Sequence, residues 1–315
     1  MKVFVTGVSG QLGHDVMFEL ARRGHTAWGT ARRQPEELPQ LCGTGGEETA
    51  VPLFRALDLT EETAVKAELS TLRPDAIIHC AAWTAVDAAE EPENYEAVRA
   101  ANVQATRILA ESARDIGAKL LYLSTDYVFD GQGERPWKPE DQNYAPLNVY
   151  GQSKLDGELA VAETLDRFFI VRIAWVFGKN GNNFIKTMLK VGKTHDSVRV
   201  VNDQIGTPTY TADLARLLVD MIETEKYGYY HATNEGGYLS WYEFACEIYR
   251  QAGLRTKVIP VSTEEYGQSK ARRPFNSRLD KSKLVEMGFQ PLPDWRDALA
   301  RYLREIGEEN KNGTD

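Results

Sequence analysis

The chain has 315 residues, 42% hydrophobic and 26% charged, with a formal net charge of −9 at neutral pH. That is the composition of an ordinary globular α/β protein, large enough for one big domain or two smaller ones. The acidic balance argues against nucleic-acid partners and against attraction to an anionic membrane, while leaving room for a local basic pocket. Cys42, Cys80 and Cys246 are widely spaced with no C-x-x-C pair. They speak against a disulfide framework and a structural zinc site, and fit a reducing compartment. A strand signal begins at residue 2 and leaves no room for a signal peptide. No apolar run approaches ~18 residues, so a cytoplasmic chain without a membrane span is expected.

Residues 2–6 (KVFVT) form a short apolar strand, followed at once by Gly7-Val8-Ser9-Gly10-Gln11-Leu12-Gly13 and an amphipathic helix predicted to about residue 23. Strand, glycine turn and helix in succession is the context in which a glycine motif points to a dinucleotide. Gly7 permits the turn, Gly10 lets backbone approach a pyrophosphate, and Gly13 allows the helix to pack closely on the strand. The helix N-terminus then offers free N–H groups to phosphate. The spacing is G-x-x-G-x-x-G, not the G-x-G-x-x-G of many dehydrogenases. A second strand at 26–30 leads into Ala31-Arg32-Arg33. An NAD site usually carries an acid here for the ribose 2′-OH, whereas arginine accommodates a 2′-phosphate, so Arg32 and Arg33 favour NADP(H). Residues 34–53 are rich in Pro, Gly and Glu without a clear period and are predicted to be an inserted loop. Its placement bears on the grip at the adenosine end and keeps NADH open.

A short strand at 54–57 ends at Asp58-Leu59, followed by a helix at 61–72 and a strand at 76–80. The small residues Ala81 and Ala82, with Thr84, would let a cofactor lie against backbone. A helix predicted at 93–116 carries Asn102, which reads equally as a satisfied helix asparagine or as a site residue. The stretch 120–154 organises the chain. Its apolar strand LLYL stops at Ser124, Thr125 and Asp126, and Tyr150-Gly151-Gln152-Ser153-Lys154 opens a further helix. Four residues apart on a helix, Tyr150 and Lys154 face the same side. An ammonium beside a phenol favours phenolate, and lowering a tyrosine pKa by about three units asks ~4 kcal/mol of the site. Alone, Tyr-x-x-x-Lys is a common spacing. With a strand-end hydroxyl it makes a proton-transfer device for a carbonyl/alcohol pair.

Strand and helix alternate through a strand at 168–173, which implies a Rossmann-type, doubly wound parallel sheet. Ligands bind beyond the carboxyl ends of such strands, where residues 6–13, Asp58, 81–84 and 124–126 all fall. After Trp175 the pattern changes: a loop at 178–184, a strand at 198–201, a loop at 203–209, a helix at 210–223 and a strand at 228–232 that could rejoin the main sheet. Helices follow at about 241–252, 280–287 and 294–306, and the polar tail from 308 is expected to fray. The expected division is an NAD(P)-binding domain of 1–177 plus about 208–234, with a smaller α/β substrate-binding lobe of about 178–207 plus 235–315.

With these residues in view, the chain resembles the extended short-chain dehydrogenase/reductases, and within them the dTDP-4-dehydrorhamnose reductase family. The resemblance spans nearly the whole length: TGVSGQLG at 6–13, AAWTAVDAAE at 81–90, STDYVFDG at 124–131, APLNVYGQSKLDGE at 145–158, GNNF at 181–184, VVNDQIGTPT at 200–209 and RRPFNSRLD at 272–280. It implies reduction of dTDP-4-dehydro-6-deoxy-L-mannose to dTDP-L-rhamnose by NADPH. By position it implies Tyr150 as general acid, Lys154 on the nicotinamide ribose, Thr125 on the reacting oxygen and Asp126 in the sugar pocket. It further implies Gly7, Gly10, Gln11, Leu12 and Gly13 at the pyrophosphate, Asp58 and Leu59 at the adenine, and Ala81, Ala82 and Thr84 along the cofactor channel. Trp175 would flank the sugar, and Asn183 and Arg273 would lie near the nucleotide diphosphate. A homodimer is compatible with the resemblance. Some relatives are reported to use a divalent metal between subunits, but no ligand cluster in this sequence suggests a metal. The longer segment before Asp58 departs from many members and leaves NADPH against NADH unsettled. Two alternatives remain open: an epimerase or dehydratase that keeps NAD bound, and a non-catalytic regulatory subunit like the β subunit of methionine adenosyltransferase.

Overall fold

A computed structural model describes residues 1–32, 53–267 and 269–312, with side chains described to residue 307. Arg33, Cys42 and nearly all of the expected inserted loop lie outside the described residues.

Strands β1 (Lys2–Thr6), β2 (Thr26–Ala31), β3 (Leu53–Ala56), β4 (Ala76–His79), β5 (Lys119–Thr125) and β6 (Phe168–Ile173) alternate with α1 (Gln11–Arg22), α2 (Glu62–Leu72), α3 (Tyr95–Arg99), α4 (Ala105–Ile116) and α5 (Val149–Thr164). The remainder supplies β7 (Val176–Phe177), α6 (Phe184–Gly192), β8 (Ser197–Val201), β9 (Ile205–Gly206), β10 (Thr209–Tyr210), α7 (Thr211–Ile222), β11 (Gly228–His231), β12 (Asn234–Glu235), β13 (Leu239–Ser240), α8 (Trp241–Ala252), β14 (Lys257–Val261), α9 (Thr263–Tyr266), α10 (Ser282–Glu286), β15 (Leu292–Asp294) and α11 (Trp295–Asn312). Seven of these strands form one sheet in the order β11-β6-β5-β4-β1-β2-β3, every neighbouring pair parallel. The strand expected to rejoin the main sheet does so, as β11 beside β6.

Both faces of this sheet are covered, so β4 and β5 are buried at every residue and read as apolar runs without alternation. Val3 and Val5 of β1 pack with Met17 and Leu20 of α1 and Leu214 and Leu218 of α7. Phe4, pointing the other way as the strand period requires, joins Leu69 of α2, Leu109 of α4 and Val161 of α5. A separate cluster of Ile185, Met188, Phe244, Ile248, Leu299 and Tyr302 ties α6, α8 and α11 together, beside the parallel pair β8–β14. Among the described residues no helix is long and apolar enough to cross a membrane.

The expected continuous helix at 93–116 is instead four pieces: a 3₁₀ turn at Pro92–Asn94, α3, a π turn at Ala100–Gln104, and α4. The widened turn contains Asn102, whose amide is pulled into bonds outside its helix, and such bulges concentrate at functional positions. The last helix runs to Asn312, six residues beyond its expected end.

Helix α5 is pinned to the sheet by an ion pair with almost no solvent exposure. Arg172 of β6 donates from Nε to Glu158 Oε1 at 2.9 Å and from Nη2 to Oε2 at 2.7 Å, with side chains 0% and 1% exposed. The same guanidinium donates to the Tyr144 hydroxyl and the Pro139 carbonyl and lies 5.0 Å from the Phe129 ring. Removing one member of such a pair strands a buried charge. Arg172→Met is therefore expected to cost about 3–5 kcal/mol in urea denaturation, and Glu158→Leu combined with Arg172→Met to cost clearly less. Equal costs for the single and double replacements would show that the charge pairing matters little.

Candidate active site

The carboxyl ends of the central strands open into one cleft of about 860 Å³. Its nucleotide end is lined by Gly7, Gly10, Gln11, Leu12 and Gly13, by Arg32 after β2, by Asp58 and Leu59 after β3, and by Ala81, Ala82 and Thr84 after β4. Gly7 has φ +70°, and a Cβ there would sit 2.6 Å from the Ala81 nitrogen; one on Gly13 would sit 2.4 Å from the Gly7 carbonyl oxygen. The turn is thus closed enough that only glycine fits, and it presents bare backbone. Helix α1 begins at Gly10 with no side-chain cap, so its first N–H groups are open to an anion. Those observations fit a dinucleotide pyrophosphate. Asp58 accepts from the Thr60 backbone at 3.0 Å and from its hydroxyl at 2.8 Å. These bonds, with a smaller contribution from the charge of Arg32, hold its carboxyl below the usual carboxylate range.

At the middle of the cleft, β5 delivers Thr125 and Asp126, and α5 delivers Tyr150 and Lys154. Asn148 starts that helix by accepting from the Gly151 nitrogen at 2.7 Å, while its own amide holds the Arg272 carbonyl. Thr125 donates to Asp126 Oδ1 at 3.0 Å. Among the described residues, Asp126 Oδ2 and Ser124 Oγ are buried without a hydrogen-bond partner. Burial pushes the Asp126 carboxyl up to about 6, against the nearby hydroxyls of Ser277 and Thr125 that act the other way. Burial likewise raises the Tyr150 phenol above its ordinary value, opposed by hydrogen bonding to Thr125. Lys154 is buried and pulled down to about 7 by desolvation, with Glu158 acting in the opposite sense. Its Nζ donates to the Leu123 carbonyl at 2.7 Å. The expected lysine–phenol partnership is therefore not a direct bond here; the ammonium spends that donor on backbone.

Asn102 joins three elements. Its Oδ1 accepts from the Trp83 nitrogen at 2.7 Å, and its Nδ2 donates to the Trp83 carbonyl and to Ser153 Oγ at 2.8 Å. The loop after β4 is thereby fixed to the turn of α5 that lies between Tyr150 and Lys154.

At the far end Trp175 lines the cleft with φ +50°, and it stacks on Trp241 at 3.7 Å and 16°. An αL tryptophan is a strained backbone that surrounding packing must hold. Arg273 also lines the cleft; its Nη2 donates to Asp87 at 2.6 Å and its Nη1 to the Tyr127 hydroxyl at 3.2 Å. Asn183, expected near a diphosphate, is held by protein contacts. It caps α6, and its amide donates to Gln11 Oε1, the Gly178 carbonyl and the Tyr302 hydroxyl, each at 3.0 Å. It locks the glycine turn to α11 and does not line the cleft. Trp241 and Asp87 were not singled out from the sequence. An aromatic on an amphipathic helix reads as core, and an acid in a loop reads as solvated; only the family motif around Asp87 marked it. Among the described residues no cluster of three His, Cys, Asp or Glu side chains could hold a metal.

A nucleotide cradle that shares its cleft with a buried lysine and a proton-bearing tyrosine belongs to oxidoreductases that work with a nicotinamide dinucleotide. Residues 1–307 match the family described as RmlD substrate binding domain, and the chain belongs to that family. It is 40% identical to a dTDP-4-dehydrorhamnose reductase of Streptomyces griseus, over 94% of this chain and 90% of the relative. Among solved structures it is similar to a dTDP-4-dehydrorhamnose reductase of Clostridium acetobutylicum, with a TM-score of 0.85 and 36% identity over 98% of this chain and 100% of the other. It is also similar to the Bacillus anthracis enzyme of that name in complex with NADP, with a TM-score of 0.83 and 38% identity over 96% and 99%.

The raised Asp126 carboxyl has a consequence for stability. Its folded value of about 6 lies above the unfolded value of ~3.9, so ionisation opposes folding as pH rises through that interval and leaves stability unaffected below both. Asp126→Asn is expected to stabilise the protein by about 2 kcal/mol at neutral pH and by almost nothing near pH 4 in urea denaturation. A gain of equal size at both pH values would remove ionisation as its cause.

Proposed function

We propose that this chain reduces the 4-keto group of dTDP-4-dehydro-6-deoxy-L-mannose to give dTDP-L-rhamnose, with NADPH as reductant, in dTDP-rhamnose biosynthesis. The observation that carries the chemistry is one cleft holding Thr125, Tyr150 and Lys154 beside the glycine turn at the head of α1. The sugar and its nucleotide rest on the relatives that bear that name. NADPH is favoured by the Bacillus anthracis complex and by Arg32 at the end of β2.

In this reading bound NADPH supplies the hydride that reaches C4. Tyr150 gives its phenolic proton to O4, and Thr125 donates a hydrogen bond to that oxygen as negative charge grows on it. Lys154, released from the Leu123 carbonyl, holds the nicotinamide ribose and favours the phenolate left on Tyr150. Asp126, buried in the cleft wall, accepts from a sugar hydroxyl. Trp175 packs on the sugar ring, and Arg273, shared in the free protein with Asp87, turns to the diphosphate. Gly7, Gly10, Gln11, Leu12 and Gly13 hold the pyrophosphate, Asp58 and Leu59 the adenine end, and Ala81, Ala82 and Thr84 line the channel. The division of labour we assign is cofactor binding to 1–177 plus about 208–234 and sugar binding to about 178–207 plus 235–315. The free thiols Cys80 and Cys246 and the use of a reduced nucleotide support a cytoplasmic location. A homodimer is the assembly we propose, and sedimentation at micromolar concentration tests it.

The test follows loss of reduced-nicotinamide absorbance with NADPH or NADH and the 4-keto sugar generated in situ. Tyr150→Phe is expected to lower turnover by about 10²–10⁴-fold with NADPH affinity nearly intact, and Lys154→Ala to weaken both. Small, equal effects of the two changes would undo the assigned roles. No oxidation of either cofactor would shift the reading to an epimerase with bound NAD or to a regulatory subunit. Arg32→Ala is expected to raise KM for NADPH about tenfold and to leave NADH nearly unchanged, since a charged pair to phosphate contributes roughly 1.5–3 kcal/mol.

A further inference from the structure

We propose that Tyr122 is a positioning residue for this reaction, the face of its buried ring holding the Lys154 ammonium in place and in its charged form at the end of β5. The inference rests on the reading of Lys154 given above.

Lys154 Nζ lies 4.1 Å from the Tyr122 ring centroid, close enough for attraction between the ammonium and the negative face of the π system. An ammonium has three N–H donors, and among the described residues the Leu123 carbonyl is the one hydrogen-bond acceptor that Nζ meets. Burial with so few acceptors favours the neutral amine. The charged and titratable groups around it do little to restore the balance. On its own helix, Glu158 is already engaged on both oxygens by Arg172 of β6, so that pair is nearly neutral overall. Tyr150 carries a phenol whose ionisation burial disfavours. From β4 and its end, the Cys80 thiol is pushed up to about 12 by burial and stays uncharged. His79 is pulled down to about 3 by burial and then by the lysine charge, and sits neutral between Thr6 Oγ1 at 2.7 Å and Thr106 Oγ1 at 3.1 Å. Beside the Glu158 charge and the Leu123 carbonyl, the Tyr122 ring is the further group on the favourable side.

The packing makes a deliberate place for that ring. Tyr122 is fully buried in the centre of β5, and its hydroxyl reaches the Lys154 carbonyl at 3.4 Å. It fits beneath α5 because residue 157 is glycine, where a Cβ would stand 2.3 Å from the Tyr122 hydroxyl. An aliphatic side chain would fill the layer without demanding that gap.

The experiment reads Lys154 directly. The carbon-13 shift of its Cε is followed against pH in cofactor-free protein, assigned by Lys154→Arg, for the native chain, Tyr122→Phe, Tyr122→Leu and phenylalanines of rising fluorine content at position 122. NADPH affinity is followed against pH by fluorescence in a Tyr150→Phe background, which removes the phenol from the profile. Tyr122→Phe is expected to keep the native midpoint, because the ring remains. Tyr122→Leu is expected to lower it by about one pH unit and to weaken NADPH about tenfold near pH 8. Fluorination should lower it stepwise. Native midpoints in both the leucine and the fluorinated variants would overturn the proposal. Should Tyr122→Leu not fold, the fluorinated series decides alone, since it changes the ring's charge distribution with little change of shape. NADPH affinity indifferent to Lys154→Met would overturn the cofactor role of the lysine, while a lowered midpoint would still support the ring's hold on it.

Discussion

A lysine ammonium buried in the cleft wall sets the terms for the packing around this cleft. In bulk water an ammonium loses little by being charged; beside α5 each missing acceptor must be replaced by a fixed dipole or a ring face. The Leu123 carbonyl and the Tyr122 ring occupy those positions. Their geometry depends on the close approach of helix to strand that Gly157 permits. The Glu158–Arg172 pair supplies that constraint one turn further along, joining α5 to β6 through two short charge-assisted bonds. Within that pair the guanidinium offsets the cost of burying Glu158. Cation, ring, glycine gap and ion pair therefore form one connected arrangement on a single helix face.

Much of this was legible in the chain because parallel sheets impose simple rules. Runs such as AIIH and KLLYLST are buried on both faces, so they announce themselves as strands, and every loop at their carboxyl ends must meet at one edge. Hence the glycine turn, Asp58, Ala81–Ala82 and Thr125 could be assigned to a common site before any contact was known. The sugar, by contrast, was legible only through resemblance; no spacing or charge pattern names a 6-deoxyhexose. The partners of Asn183 could not be read, because an asparagine in a Gly-Asn-Asn loop looks alike whether it faces a ligand or caps a helix. Its partners, Gln11 and Tyr302, lie 172 and 119 residues away. The broken helix around Asn102 escaped for a related reason. An alanine-rich stretch predicts an unbroken helix, and the pull toward Trp83 and Ser153 is tertiary. Tyr122 was invisible as anything but core, since apolar burial and a π face toward a cation leave the same trace in sequence.

The two ends of the cleft are built on different physics. The nucleotide end is bare backbone: a glycine turn too tight for any Cβ, and an uncapped helix start whose N–H groups need no side-chain motion to meet phosphate. The sugar end is side chains held by other side chains, with Trp175 strained into αL against Trp241, and Arg273 shared between Asp87 and Tyr127. A ligand can join the first as it stands. At the second it must exchange contacts, taking Arg273 from an existing carboxylate partner. That difference suits a site that seats each incoming nucleotide in one pose and judges the sugar separately.

The overall charge sharpens the point. A chain of net charge −9 repels the two anionic nucleotides its proposed reaction requires. At physiological ionic strength that long-range field is damped within about 8 Å. Binding then depends on what lies inside that distance: the α1 N-terminus, Arg32, Lys154 and Arg273, all at the cleft. Two of these cations are held in reserve, Lys154 on a carbonyl and Arg273 on Asp87. Each already has a partner in the cleft wall, and only that of Arg273 carries the opposite charge. An acidic protein can in this way keep its net negative charge and still present a cationic site, because these cations lie within one screening length of whatever enters the cleft.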